Sequence, residues 1–231
     1  MSLTFAIDTS SPECSISILK GNRVICESNF FSSGELSKTL VSNIDSVLLS
    51  LNIKPSDIDL IGVSIGPGLF TGIRVGLSTL KGIFFDMDIP VAPVNSLYAI
   101  GLKAKHESGM IVPVLDARRG EVYSGKYLSE DEFLREKIAP SLVKIEDLKS
   151  FLDYDGDICF TGNGVGVYGD FLQKNFSKCL IHERSRFIAS EIGLIAVQEF
   201  KNGNYLNGVK GIEPLYIRIP DAEKNLISNK N

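Results

Sequence analysis

The sequence predicts an α/β protein with mixed sheets, built from two related halves. Three observations carry that expectation. Short apolar strands alternate with stretches in which apolar residues recur every three or four positions. The opening strand is followed by a hairpin rather than a helix. The order of apolar strand, aspartate, polar turn and returning strand seen over Leu3 to Leu19 recurs over Ile111 to Tyr127, a weak internal repeat whose second copy is degraded.

Taken in order, Leu3 to Ile7 is an apolar strand that stops at Asp8-Thr9-Ser10-Ser11-Pro12. Ser15 to Leu19 is the next strand; it turns at Gly21-Asn22 and returns through Val24, Ile25, Cys26 and Phe30. A two-residue loop there sets Lys20 opposite Arg23 and Cys26 opposite Ser17. Ser32 and Glu35 have capping-box spacing, and Leu36, Leu40, Val41, Ile44, Val47, Leu48 and Leu51 then recur at helical steps, so a helix is expected over Glu35 to Leu51, ended by Pro55 and Asp57. Leu60, Ile61, Val63 and Ile65 form a strand apolar on both faces, which suits a parallel position inside a sheet. The loop Gly66-Pro67-Gly68-Leu69-Phe70-Thr71-Gly72 follows, with Thr71 placed to cap a helix from about Gly72 to Phe85 and Phe70 as a buried anchor. Val91 to Val94 is a short strand, and Ser96 to Lys105 a helix.

From Met110 the second unit begins. Ile111 to Leu115 and Glu121 to Tyr127 are strands joined through Ala117-Arg118-Arg119-Gly120. The charge run Glu130 to Lys137 is expected as a solvated helix or loop. Val143 to Leu152 is a helix, Ile158 to Thr161 a strand and Gly162 to Gly169 a glycine-rich turn. Val165 to Phe176 and Ser185 to Phe200 are helices, and Tyr216-Ile217-Arg218 is a last short strand. The expected organisation is a first lobe over 1–106, a smaller second lobe over 107–220, and a frayed tail over 221–231.

Composition narrows the function classes. The 231 residues carry 24 Lys plus Arg against 28 Asp plus Glu, a formal charge of −4. It is spread evenly, with 7 basic and 9 acidic residues over 1–103 and 17 and 19 over 104–231. Gripping a nucleic-acid backbone is therefore not the main work expected of this chain, although folding could gather a local basic patch. An apolar fraction of 44% is enough for a core, and a chain of this length buries about 70% of its extended surface. The start lacks the basic region and long apolar run of a signal peptide. The longest uncharged stretches, Leu60 to Ile73 and Ile89 to Leu102, reach only 14 residues, too few to span a bilayer. Cys14, Cys26, Cys159 and Cys179 have no CxxC spacing and are expected as free thiols of a cytoplasmic protein.

Several clusters could carry chemistry. Asp8, Thr9 and Ser10 at the end of a buried strand could hold hydrated Mg²⁺ and phosphate oxygens, or could simply satisfy turn amides. The Gly66–Gly72 loop leads into a helix whose amino end would favour an anion, but it has no Gly-Lys-Ser/Thr ending; its structural alternative is a rigid strand-to-helix turn. Gly72, Gly76 and Leu80 share one flank of that helix, which suits close packing against either its own domain or a partner. Gly162, Gly164 and Gly166 lack dinucleotide-loop spacing. Asp116, Arg118, Arg119 and Glu121 suit a polar network beside a turn. His106 and His182 belong to no metal motif, and no cysteine has a general base near it in sequence.

Four blocks together resemble a known family. Phe5-Ala-Ile-Asp-Thr-Ser10, Gly66-Pro-Gly-Leu-Phe-Thr-Gly-Ile-Arg-Val-Gly76 followed by Leu77-Ser-Thr, Asp116-Ala-Arg-Arg-Gly-Glu-Val-Tyr123, and Glu213-Pro-Leu-Tyr-Ile-Arg218 are similar to the TsaB (YeaZ) family. Its members are partner subunits of the bacterial enzyme that makes threonylcarbamoyladenosine in tRNA. The resemblance implies an actin-like ATPase fold (ASKHA, ribonuclease H-like), two lobes from a duplicated βββαβα unit with the second lobe reduced. It implies a non-catalytic scaffold without a cofactor of its own, ATP and Mg²⁺ being used by the assembled pathway. The implied partners are a TsaD-like catalytic subunit, a TsaE-like ATPase and, without them, a second copy of the chain, with tRNA held mainly through the partners. The first-lobe helices would carry the interface, through Leu36, Leu40, Val41, Ile44, Val47, Gly72, Ile73, Gly76 and Leu80. Leu36 stands where many members have a histidine, and the metal-binding histidines of TsaD are absent. A small ATP-binding kinase or ATPase of the same fold is the alternative, with a glycoprotease-like peptidase behind it.

Overall fold

The computed structural model describes residues 2–32, 34–107, 109–182 and 186–218. The first unit runs β1 (Leu3–Asp8), β2 (Glu13–Lys20), β3 (Arg23–Phe31), α1 (Leu36–Ser50), β4 (Leu60–Gly66), α2 (Phe70–Ile83), β5 (Pro90–Asn95) and α3 (Ser96–Leu102). The second runs β6 (Met110–Asp116), β7 (Glu121–Glu130), β8 (Phe133–Lys144), α4 (Leu148–Leu152), β9 (Ile158–Thr161), α5 (Gly164–Asn175), β10 (Cys179–His182) and α6 (Ala189–Lys201), after which β11 (Leu206–Asn207) closes the described strands.

The repeat is real at the level of topology. One sheet has the order β3-β2-β1-β4-β5 with β11 added beside β5, and the other the order β8-β7-β6-β9-β10. In each, the first three strands form an antiparallel meander, and the fourth and fifth add in parallel. Each unit is βββαβαβα, the expected βββαβα with one more strand and helix, and the duplicated pair makes an actin-like fold. The both-faces-apolar reading of β4 is borne out, since it lies between β1 and β5, parallel to both.

The last helix of each unit packs away from home. α3 lies against β6, β7 and β8 of the second sheet, while α6 lies against β1, β2, β4 and β5 of the first. The two helices also touch, so one apolar layer joins the lobes: Ala6, Leu19 and Val94 from the first sheet meet Ala99 and Leu102 of α3, Ile192 and Ile195 of α6, and Ile111 and Tyr127 of the second sheet. The amino end of α6 is closed by the first lobe, because Ser15 Oγ of β2 accepts from the Ile188 and Ala189 N–H groups at 3.2 and 3.0 Å. Residues 189–212 thus return to the first sheet after the second is complete, with Val209 and Ile212 buried in the first-lobe core.

Several local expectations are corrected. A bulge between Ile18 and Leu19 shifts the hairpin register, so Cys26 lies opposite Ile18 and Ser17 opposite Glu27, while Lys20 does face Arg23. Glu35 precedes α1 without a side-chain cap, so the Ser32–Glu35 box does not form. Five buried apolar residues at roughly 2 kcal/mol each hold α1 in place and outweigh a cap worth about 1 kcal/mol. α2 starts at Phe70 after Leu69, which removes Thr71 from the capping position. The charge run 130–137 is the tip of the β7–β8 hairpin, Val143 and Lys144 end β8, and the helix behind them is only Leu148–Leu152. The glycine-rich turn is short, since Gly164 already begins α5. Tyr216 to Arg218 form no strand. Ser185 and the tail 221–231 lie outside the described residues.

Candidate functional site

A cleft of about 460 Å³ opens between the lobes. Its floor is the shared helical layer, through Ile100 of α3 and Ile188 at the start of α6. The first lobe supplies the β1–β2 turn and the loop before α2, and the second supplies Asp116 to Arg118 and Gly162-Asn163. These are the same two turns in each copy of the repeat.

The correspondence extends to hydrogen bonds. Asp8 Oδ1 accepts from the Ser10 N–H at 2.9 Å, and Asp116 Oδ1 accepts from the Arg118 N–H, also at 2.9 Å. Each aspartate ends the first strand of its sheet and folds the chain back through its own carboxylate. Their surroundings differ. Asp116 is half-buried and is also met by the Tyr168 hydroxyl at 3.2 Å, while its N–H donates to Asn163 Oδ1 at 2.9 Å. Asp8 is 1% exposed, and among the described residues its Oδ2 has no hydrogen-bond partner. Burial pushes the Asp8 carboxyl above its ordinary value of 3.8, against the opposing hydrogen bonds from Ser10.

That shift has a measurable consequence. The folded chain holds the Asp8 proton more tightly than the unfolded chain, so this group's contribution to stability is greatest below the unfolded value and falls as pH rises through the folded one. Asp8→Asn keeps the oxygen that accepts from Ser10 and removes the ionisation. Denaturation of the two proteins across pH should show the variant gaining on the parent as pH rises from about 4. A constant difference across that range would mean that Asp8 is not held protonated.

The phosphate-loop candidates separate. Asp8 and Ser10 line the cleft, but Thr9 lies under α2. The Ser10 carbonyl accepts from the Leu69 N–H at 2.6 Å, immediately before α2 begins, so the chain's own backbone occupies part of the helix end that an anion would use. Gly68, Gly72 and Gly76 permit this contact: a Cβ would run into the Ser10 carbonyl at Gly68, the Thr9 carbonyl at Gly72 and the Thr9 hydroxyl at Gly76. The flank read as a helix-packing surface is therefore the seat of the β1–β2 turn. Phe70 is not a core anchor either; it is half-buried and stacks on Tyr216, with ring centroids 4.8 Å apart.

Among the described residues no group of three His, Cys, Asp or Glu side chains converges as a metal site. Burial pushes the Cys14 thiol up to about 12, which leaves it an inert core residue. The cleft cations are largely engaged: Arg186 meets Glu13 at 3.2 Å, and Arg218 pairs with Glu121 and donates to the Ala117 carbonyl at 2.8 Å. Of the expected polar cluster Asp116, Arg118, Arg119 and Glu121, the first two line the cleft and Glu121 is taken by Arg218. Arg186, Asn163 and Ile100 were not singled out by sequence, because nothing local marks them as neighbours of Asp8.

The interface candidates are mostly core. Leu36, Leu40, Ile44, Val47, Ile73, Gly76 and Leu80 are buried within this chain, Gly72 is half-buried, and Val41 alone of the nine is exposed, at 53%. Their apolar stripe is spent on the first sheet and on the contact between α1 and α2.

Comparison with known proteins supplies the family. Residues 31–226 match the protein family described as "TsaD: tRNA N6-adenosine threonylcarbamoyltransferase". TsaB of Bacillus subtilis is 28% identical over 231 residues, covering 97% of this chain and 98% of that protein. TsaB of Escherichia coli is 26% identical over 230 residues, covering 96% of each. The chain belongs to the TsaD family, and the relatives it matches over nearly their whole length are TsaB proteins. A solved structure of YeaZ from Pseudomonas aeruginosa has the same fold, with a TM-score of 0.79 at 22% identity, covering 94% of this chain and all of the other. In TsaB terms, the four sequence blocks are the two turns that face the cleft, the loop that seals one of them, and the segment that crosses between the lobes.

Proposed function

We propose that this chain is the non-catalytic subunit that binds and supports a TsaD-type catalytic subunit in threonylcarbamoylation of adenosine 37 of tRNAs reading codons that begin with A. The match to TsaB proteins over nearly its whole length carries this reading. The seal between the β1–β2 turn and α2 supports it, because part of the α2 amino end, one of the two places where the sequence could have held an anion, is taken up by the Ser10 carbonyl. ATP and Mg²⁺ belong to the assembled pathway rather than to this subunit. The partner face lies on the first lobe, within 1–106, on the outer flank of α1, where Val41 and Leu49 are exposed. A second copy covers that flank when the catalytic subunit is absent, and a TsaE-like ATPase joins the full assembly. The charge of −4 leaves most tRNA backbone affinity to the partners. The assembly works in the cytoplasm; among the described residues no helix is long and apolar enough to cross a membrane.

Depletion of the chain tests this. The modified nucleoside, measured by liquid chromatography and mass spectrometry, should disappear while synthesis of the activated threonylcarbamoyl donor persists, since a scaffold acts by holding catalytic groups in register. Retained modification in a cell with no second copy of the gene would sink the reading. Loss of donor synthesis would move the protein to the preceding step.

A further inference from the structure

Beyond Ile212 the chain leaves the first-lobe core and crosses to the second lobe, and we propose that residues 213–218 are a latch that sets how far the cleft opens. The first-lobe attachments come first. Leu215 N–H donates to the Ile65 carbonyl at 2.8 Å, near the end of β4. Tyr216 stacks on Phe70, and its hydroxyl accepts from Arg74 Nε at 2.8 Å, while the Arg74 guanidinium sits 3.8 Å from the Phe70 ring centroid. Two residues later the attachment is to the other lobe, where Arg218 donates to the Ala117 carbonyl at 2.8 Å and pairs with Glu121.

Four consecutive residues therefore tie the β4–α2 corner to the β6–β7 turn, and all four line the cleft. The lobes are already joined along the cleft floor by α3 and α6. A body fixed only along its floor can rock, and a second tie away from that floor removes the motion. The second-lobe anchor suits such a role. Arg118 and Arg119 are both left-handed, at φ 66° and 57°, a strained turn that its own Asp116 carboxylate and the incoming Arg218 hold in shape. Arg218 and Glu121 are 20% and 31% exposed, sheltered enough for a charge-assisted contact to hold better than a surface pair. The latch differs from the partner face and does not depend on the assignment to tRNA modification.

Hydrogen exchange of the full-length chain, read by mass spectrometry, tests it with Arg218→Ala and Tyr216→Phe. The latch predicts that Arg218→Ala raises exchange about tenfold both in peptides over 116–123, which it touches, and in peptides over 66–74 across the cleft, while α1 is unchanged. Tyr216→Phe keeps the ring stack, loses only the acceptor for Arg74, and should raise exchange in the same two regions by a smaller factor without changing the melting temperature. If Arg218→Ala loosens the whole chain, Tyr216→Phe decides alone. A rise confined to the lobe that carries the altered contact, or no rise in either variant, would overturn the latch.

Discussion

Leu40→Glu is expected to unfold the first lobe, whereas Val41→Glu, one residue further on, is expected to leave the fold intact and to weaken binding of a TsaD-type subunit. Leu40 is fully buried in the first-lobe core, among the apolar residues of α1, α2 and the first sheet. A carboxylate placed there has no partner, and the change should cost more than about 4 kcal/mol, a large part of the total stability of a domain. Val41 points away from that core, at 53% exposed, so charge there should change folding stability by no more than about 0.5 kcal/mol. Urea denaturation measures the first difference, and co-purification with the catalytic subunit together with sedimentation measures the second. A folded Leu40→Glu would contradict the packing described for α1. Unchanged partner binding and unchanged sedimentation of Val41→Glu would move the interface off this flank.

Gly68→Ala should destabilise the chain by about 3 kcal/mol, although alanine is ordinarily the more stabilising residue. The added carbon would meet the Ser10 carbonyl, with Ser10 Cβ 2.9 Å away, so backbone rather than a movable side chain must give. Relief requires the β1–β2 turn to withdraw from α2, which sacrifices the Leu69 N–H to Ser10 carbonyl bond. Gly166 of α5 is the control, because a carbon added there meets nothing within 4 Å and Gly166→Ala should be neutral or stabilising by up to about 1 kcal/mol. Urea midpoints of the two variants decide: equal midpoints would mean that the seal between the turn and α2 is loose.

The helical spacing from Leu36 to Leu51 gave α1 to within a residue at each end, because amphipathic periodicity is a local property. It could not say that Val41 stands outside the stripe, since Val41 and Leu40 are equally apolar and only the sheet beneath the helix chooses between them. The glycines of α2 were legible as a steric requirement, but their neighbour proved to be Thr9, more than sixty residues earlier, and not another helix. The β8 strand was hidden because it is an edge with only Leu134 and Val143 buried, where charged residues replace the alternation that marks a half-buried strand. β11 was hidden because two residues carry no pattern at all.

By itself, then, the sequence determined the alternation of strands and helices, the existence of the repeat, the place of both cleft aspartates at strand ends, and the four blocks that lead to the TsaB family. The alternation and the strand-end aspartates rest on spacing between near neighbours, which local sterics and amphipathicity enforce, the repeat on the same order of elements recurring, and the family on the resemblance of the four blocks. The tertiary structure alone decided which lobe each terminal helix covers, that the α2 amino end is closed by Ser10, that Arg218 reaches Ala117 and Glu121, and that most of the apolar face of α1 is spent inside the chain. Those outcomes depend on which surfaces meet after distant segments are brought together, and burying apolar area has no direction of its own. Shape and the remaining hydrogen-bond demands of the two sheets select the partner.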